Sequence, residues 1–289
     1  LSAHDPDVPA WDTLSEDAKK MYARQKEVYA AFLEQTDYHF GRIVAYLEKL
    51  GELDNTLIVI ISDNGASAEG GVHGTFNEAL FFNNVEETLA DNLKYYDEWG
   101  SPNTFNHYSW GWTWAGDTPF RRWKRETYRG GVSDPCIVFW PEGIKASNEI
   151  RTQYAHAVDL APTILEALGI EAPEMIRGVP QSPIQGVSFA HSFDNAAAES
   201  NHHTQYFEMF GHRSIYHEGW KAVCPFPGPS FAEAAEKERY FGMPLTTELL
   251  NDLDANGWEL YNVEEDPAET RNLAAEMPDK VQEMVERWY

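Results

Sequence analysis

The stretch Asp54-Asn55-Thr56-Leu57-Ile58-Val59-Ile60-Ile61-Ser62-Asp63-Asn64-Gly65 decides how the rest of the chain is read. Leu57 to Ile61 is a short, continuous apolar run rich in β-branched residues. Such side chains are stiff and fit a pleated surface. A run without polar alternation predicts a strand buried on both faces, hence part of a parallel sheet. It stops abruptly in Ser62-Asp63-Asn64-Gly65. Helix, tight turn, buried strand and then polar residues is the order of an α/β domain. In open α/β sheets, ligands bind at that end of the strands.

Upstream, Thr13 and Glu16 have the spacing of a capping box. Met21, Tyr22, Val28, Phe32 and Leu33, then Ile43, Leu47 and Leu50, recur near helical spacing. A long helix is therefore expected, with Gly41 as a candidate interruption and Gly51 as its stop. Downstream, residues 72–118 read as an aromatic insertion that includes a helical piece around Val85 to Trp99. Its Trp and Tyr content argues against disorder, and it either packs internally or walls a substrate cleft. Cys136 to Trp140 predicts a second buried strand. Asp159, Pro162 and Gly169 then bracket a helix. Residues 170–200, rich in Pro and Gly, are expected on the surface. From about 204 short alternating runs predict antiparallel strands at 205–210, 213–217, 220–223 and 258–263, with helices around 230–240 and 279–289.

Composition restricts the function. The chain has 289 residues and a formal charge of −25, with a pI near 4.6. Such a surface repels phosphate backbones and anionic lipid, so a general nucleic-acid or membrane-surface binder is disfavoured. No apolar run approaches the roughly 18–20 residues of a membrane span. Two cysteines, Cys136 and Cys224, make no disulfide framework for this length. The chain begins at Leu1 and stops at Tyr289 inside an amphipathic pattern without a C-cap, which is the expectation for a piece of a longer protein.

Two constellations carry chemistry. Asp63 and Asn64, at a strand end, offer hard oxygen ligands of the kind Ca²⁺ or Mg²⁺ takes. Asp-Asn-Gly is equally a common turn sequence. The second constellation places Arg121, Arg122, Lys124, Arg125 and Arg129 within nine positions, followed by Gly130-Gly131. A positioned ammonium suits a sulfate or phosphate. The competing reading is a solvated loop paired with surface carboxylates. His107, among the insertion's aromatics, is a candidate substrate contact, with a structural role as the alternative. His202-His203 reads as a polar turn, and His156 as a packing or capping residue.

Taken in order, these stretches resemble bacterial arylsulfatases, the formylglycine-dependent sulfatases of the alkaline-phosphatase-like superfamily. The matching residues are Ser62-Asp63-Asn64-Gly65-Ala66-Ser67-Ala68-Glu69-Gly70-Gly71, then Thr118-Pro119-Phe120-Arg121-Arg122-Trp123-Lys124 with Gly130-Gly131, and His156-Ala157-Val158-Asp159-Leu160-Ala161-Pro162-Thr163. The late Trp258-Glu259-Leu260-Tyr261-Asn262 and Asp266-Pro267 complete the series. The resemblance implies an α/β fold: an alkaline-phosphatase-like mixed sheet flanked by helices, incomplete at the N-terminus. It implies a division into residues 1–200 of the catalytic domain and 201–289 as a smaller α+β subdomain with an antiparallel sheet. It further implies that Asp63 and Asn64 bind Ca²⁺ (with Mg²⁺ as the alternative), that Lys124 contacts the sulfate of a small sulfate ester, and that a formylglycine is the nucleophile. The family's Cys/Ser-x-Pro-x-Arg motif is absent from this chain, as are the Asp-Asp pair, the Lys-x-His and the general-acid histidine that precede the long helix. The chain thus resembles the C-terminal portion of such an enzyme and is expected to be inactive alone. Ser133-Asp134 stands where relatives often carry an arginine. A phosphonate or phosphodiester hydrolase of the same superfamily, or a noncatalytic anion- or partner-binding relative, are the alternative functions.

Overall fold

The computed structural model describes residues 1–83, 85, 87–146, 148–225, 228, 246–248 and 257–289. The first long element, α1 (Glu16–Leu50), is capped by Ser15, whose hydroxyl accepts from the Ala18 N–H. The expected cap Thr13 lies instead in a 3₁₀ turn (Trp11–Thr13) and donates to the Ala10 carbonyl. Ser15 wins because it stands directly before the first helical residue, with Glu16 and Asp17 complementing the N-terminal dipole. The helix runs unbroken through Gly41 and ends at Gly51, whose φ of 73° is the left-handed stop the sequence predicts.

The next element, β1 (Ile58–Ile61), ends the chain's approach to the polar loop. After it come α2 (Glu78–Phe82), α3 (Leu89–Lys94), α4 (Trp110–Asp117), α5 (Arg129–Val132) and β2 (Cys136–Phe139). The expected helical piece at Val85 to Trp99 is thus reduced to α3 and a 3₁₀ turn, because the Thr88–Asp91 capping box starts the helix late. Contrary to the parallel, doubly buried strand read from the sequence, β1 pairs antiparallel with β2, Ile58 opposite Phe139 and Ile61 opposite Cys136. Its residues are half-buried to exposed. Apolarity set the strand, but the partner and the cover depend on chain far away in sequence.

The insertion's rings are mostly packed. Trp99 closes on Ala18, Met21 and Tyr22 of α1, and Trp110 on Trp123, Ala68 and Val8. Beyond β2 come α6 (Leu160–Leu168) and a two-residue hairpin of β3 (Met175–Ile176) and β4 (Val179–Pro180). The last sheet is an antiparallel meander in the order β5 (Thr204–Met209), β6 (His212–His217), β7 (Trp220–Cys224) and β8 (Glu259–Asn262). The turns at 210–211 and 218–219 are two residues long with positive φ throughout, 53° and 93°, then 46° and 82°. This is the backbone that matches strand twist in a tight hairpin. The helix α7 (Pro278–Trp288) lays Met284 and Val285 on Ile215, Ala222 and Leu260. The helix expected around 230–240 lies outside the described residues. No helix among the described residues is long and apolar enough to cross a membrane.

Candidate active site

The antiparallel pairing of β1 with β2 brings the segment after Ile61 and the segment before Cys136 to one end of the ribbon. There the two sequence constellations meet backbone to backbone. The Gly65 N–H points to the Gly131 carbonyl at 3.4 Å, and the Lys124 N–H donates to the Ala66 carbonyl at 3.1 Å. A Cβ on Gly65 would stand 1.6 Å from the Gly130 carbonyl oxygen, and one on Gly130 only 2.0 Å from the Arg122 oxygen. Glycine is required at both positions because backbone, which cannot swing aside, occupies the space. Gly130→Ala is therefore expected to cost about 2–3 kcal/mol, read from the denaturant midpoint. An unchanged midpoint would mean the loops do not approach this closely.

The five cations of the basic segment have separate fates. Arg122 is buried, forks onto Glu126 at 2.9 and 2.7 Å, reaches Asp5 at 2.8 Å and lies 4.3 Å over the Trp123 ring. Arg121 donates to Glu259 at 3.1 Å and to the Tyr261 hydroxyl at 2.7 Å. Arg129 is fixed at its backbone N–H by Glu269, which also holds Lys221 at 2.9 Å in the interior of the last sheet. Lys124 and Arg125 share Glu69: Lys124 Nζ takes Oε2 at 2.8 Å, and Arg125 takes Oε1 at 3.1 and 2.7 Å. The loop's partners are thus largely buried carboxylates rather than the surface ones of the solvated-loop reading. Burial alone would raise the Glu69 carboxyl. Lys124, Ser67 and Arg125 outweigh it and hold the group below its ordinary range. Lys124 keeps about a third of its side chain exposed (32%), whereas Glu69 keeps 7%. Two residues here are left-handed without being glycine, Arg122 (φ 61°) and Arg125 (φ 79°), and each is held by its ion pairs.

Asp63 is exposed and Asn64 half-buried on the same loop. The Asn64 amide nitrogen donates to the Gly65 carbonyl at 2.8 Å, which leaves its oxygen for other work. Asp63 has no cationic side-chain partner among the described residues, and its charge, after burial, is a cause of the raised Asp134 carboxyl. This donor set suits a hard cation, but as a partial shell. Among the described residues no three His, Cys, Asp or Glu side chains gather as a metal site. A cation held there would need further oxygens from outside this pair.

Asp117 accepts from the Ala66 N–H at 2.9 Å, and its second oxygen is buried without a partner. Burial, with the nearby Asp134 charge, pushes its carboxyl up to about 7. The folded chain then holds a proton that the unfolded chain releases near 4. Stability is fully present below that value and is lost as pH rises through about 7. Asp117→Asn should flatten that part of a thermal melting profile taken from pH 4 to 8. An unchanged slope would remove Asp117 as its source.

His107 borders this region, close enough to feel the charges of Glu69 and Lys124. Its Nδ1 donates to the Tyr108 carbonyl at 3.0 Å, and burial lowers its pKa. Its backbone bridges to Thr75 at 2.8 and 2.9 Å. The structural alternative for His107 therefore has visible work to do. His156 caps the turn before α6, as one of its sequence readings had it. His202 is a correction. It is no polar turn but is buried, with Nδ1 at 2.9 and 2.8 Å from the two oxygens of Asp159, which is itself fully buried. No local signal announces that pair, since its members lie 43 residues apart. Nor does any local signal mark Glu69 as the shared partner of Lys124 and Arg125, which lie 55 and 56 residues further on.

The Sulfatase family model matches residues 3–170, and the model for the C-terminal region of N-sulphoglucosamine sulphohydrolase matches residues 121–224. An uncharacterized sulfatase of Schizosaccharomyces pombe is 31% identical over 291 residues, covering 96% of this chain and 45% of that protein. The arylsulfatase of Klebsiella aerogenes is 26% identical, covering 62% of this chain and 37% of its own length. The N-acetylglucosamine-6-O-sulfatase of Bacteroides thetaiotaomicron is 24% identical, with 92% of this chain and 35% of its own covered. The chain thus spans less than half the length of these relatives. Among solved structures, one from Bacteroides thetaiotaomicron, from work on the metabolism of multiple glycosaminoglycans, superposes with a TM-score of 0.55. It shares 18% identity and covers 87% of this chain and 42% of that one. The likeness shows the fold, in agreement with the α/β class that the resemblance implies.

Proposed function

The chain belongs to the sulfatase family, and from that membership we propose that it forms part of a sulfate-ester hydrolase of the arylsulfatase type. The observation that supports this best is the contact of the Lys124 backbone with Ala66, which brings the backbone of the basic segment to the residue next to the Asp63-Asn64-Gly65 turn. In this reading Lys124 grips the sulfate oxygens, and Glu69 orients the ammonium while limiting its motion. Asp63 and the Asn64 amide oxygen would hold a Ca²⁺, or Mg²⁺ in its place, with other ligands from outside this chain. When bound, the cation would supply positive charge to the sulfate, and a formylglycine elsewhere in the protein would supply the nucleophile. His107 borders the site as an orienting residue.

The same reading treats the chain as the C-terminal portion of a longer enzyme, divided at residues 1–200 and 201–289. Exposed apolar side chains agree with it: Phe32 (66% exposed) and Ile43 (58%) on α1 and Ile137 (56%) on β2 have little cover among the described residues. The remainder of the catalytic domain would bury them. The test is turnover of 4-nitrophenyl sulfate by the full-length protein against the isolated 289-residue chain. Turnover is expected only from the former, and should fall on chelation. Hydrolysis by the isolated chain would overturn the division of labour. A faster reaction with a phosphodiester or phosphonate monoester would favour the alternative within the superfamily.

A further inference from the structure

Lys124 lies within a loop whose two ends are tied to the last sheet. The Gly130 N–H donates to the Arg121 carbonyl at 2.9 Å, which closes residues 121–130 on themselves. Glu259 of β8 takes one end: its Oε2 accepts from Arg121 at 3.1 Å and from the Tyr128 hydroxyl at 2.6 Å, so one oxygen holds both flanks. Glu269 takes the other. Its Oε2 accepts from the Arg129 N–H at 2.7 Å, while its Oε1 is ion-paired with Lys221 of β7 at 2.9 Å. Between the two anchors, the Ser214 hydroxyl of β6 donates to the Thr127 carbonyl at 3.3 Å. Lys221 and Glu269 keep only 4% and 0% of their side chains exposed. A buried ion pair is a costly source of stability, since apolar side chains of similar volume serve as well or better. What the pair supplies and an apolar pair lacks is direction: a charged acceptor aimed at one backbone N–H. That N–H opens Arg129-Gly130-Gly131, the segment on which Gly65 packs. A shift at this end therefore reaches Gly65 directly, and reaches Lys124 through the closure at Arg121. The Lys124 ammonium itself is partnered by Glu69, so the carboxylates of the sheet act on it through the loop.

We propose that Glu259 and Glu269 are positioning residues, with Lys221 as the counter-charge of Glu269, and that the last sheet is the mould that sets where Lys124 stands against the Asp63-Asn64-Gly65 turn. The inference rests on the sulfate-ester reading above and adds the part that the C-terminal sheet plays in the reaction.

The test uses the full-length protein with 4-nitrophenyl sulfate. Two paired variants remove the buried charges together and differ in the acceptor they leave. Lys221→Met/Glu269→Gln keeps an oxygen for the Arg129 N–H, and Lys221→Met/Glu269→Leu does not. Both are assayed well below their melting temperatures. The leucine pair should lower kcat/KM roughly tenfold or more, with the glutamine pair within about threefold of wild type. In a Lys124→Ala background the leucine pair should cost less than about twofold, because no ammonium is left to misplace. A loss that came from unfolding alone would be the same size in both backgrounds. Equal rates for the leucine and glutamine pairs, or an undiminished loss on top of Lys124→Ala, would overturn the positioning role and leave the sulfate-ester reading standing. Should the leucine pair not fold, Glu259→Gln at the other anchor is read in the same two backgrounds. A loss confined to the Lys124 background supports the role, and no loss, or an equal loss in both, overturns it. If wild type hydrolyses no aryl sulfate, or Lys124→Ala leaves its rate unchanged, the sulfate-ester reading falls and takes the positioning role with it.

Discussion

Replacing Lys124 by alanine in the full-length protein is expected to lower kcat/KM for an aryl sulfate by roughly 10²- to 10³-fold, the usual loss when a preorganised electrostatic group is removed. The expectation comes from placement. The backbone of Lys124 is bound to Ala66 and its ammonium to Glu69, so its position is set before substrate arrives. Of the neighbouring cations, Arg122 is committed to buried carboxylates, Arg121 to Glu259 and Tyr261, the Arg129 guanidinium to Ser133 and the Pro267 carbonyl, and Arg125 to the other oxygen of Glu69. Glu69→Gln should act more weakly, because it loosens the ammonium without removing it. Its signature would be an altered pH profile rather than abolished turnover. A Lys124→Ala enzyme within threefold of the wild-type rate would take Lys124 out of the site.

Arg122→Ala is expected to destabilise the full-length protein by about 3–5 kcal/mol, the loss typical of breaking a buried ion pair from one side. Arg122, Asp5 and Glu126 keep 7%, 7% and 1% of their side chains exposed, so removing the guanidinium takes the cation from two carboxylates that see little water. Burial pulls the guanidinium pKa down, but Glu126 and Asp5 outweigh it and leave the group more firmly charged than in water. Arg122→Lys should recover little, since an ammonium cannot make the planar fork onto Glu126 while also reaching Asp5. The double variant Arg122→Ala/Glu126→Ala should lose less than the two single losses summed. Urea midpoints measure all four. A loss below about 1 kcal/mol for Arg122→Ala would mean that the pair is solvated.

These two residues show what was legible. Both lie in one run of basic residues, and from the run alone either could have gripped an anion or met solvent. The resemblance to a known family selected Lys124. Nothing in the run announced that Arg122 would be buried, because its partner Asp5 lies 117 residues away. Arg121 and Glu259 are separated by 138. The same limit explains β1. Its apolar run correctly marked a strand, but the parallel, doubly buried environment inferred from it was wrong, since pairing with β2 joins residues 75 or more positions apart.

By itself the sequence determined the local elements and their order: α1 with its stop at Gly51, the strand before Asp63, the helix before Gly169 and the late meander with α7. It also marked which short stretches are candidates to carry functional side chains. Those signals are caps, turns and periodicities, whose physics acts over a few residues. Tertiary structure alone decided that Gly65 meets Gly130, that Glu69 holds Lys124 and Arg125 together, that His202 is buried on Asp159, and that Phe210 reaches Arg125. Each of those contacts joins separate parts of the chain. Their identity depends on close packing and on satisfying buried charge across the whole fold, which no local pattern encodes.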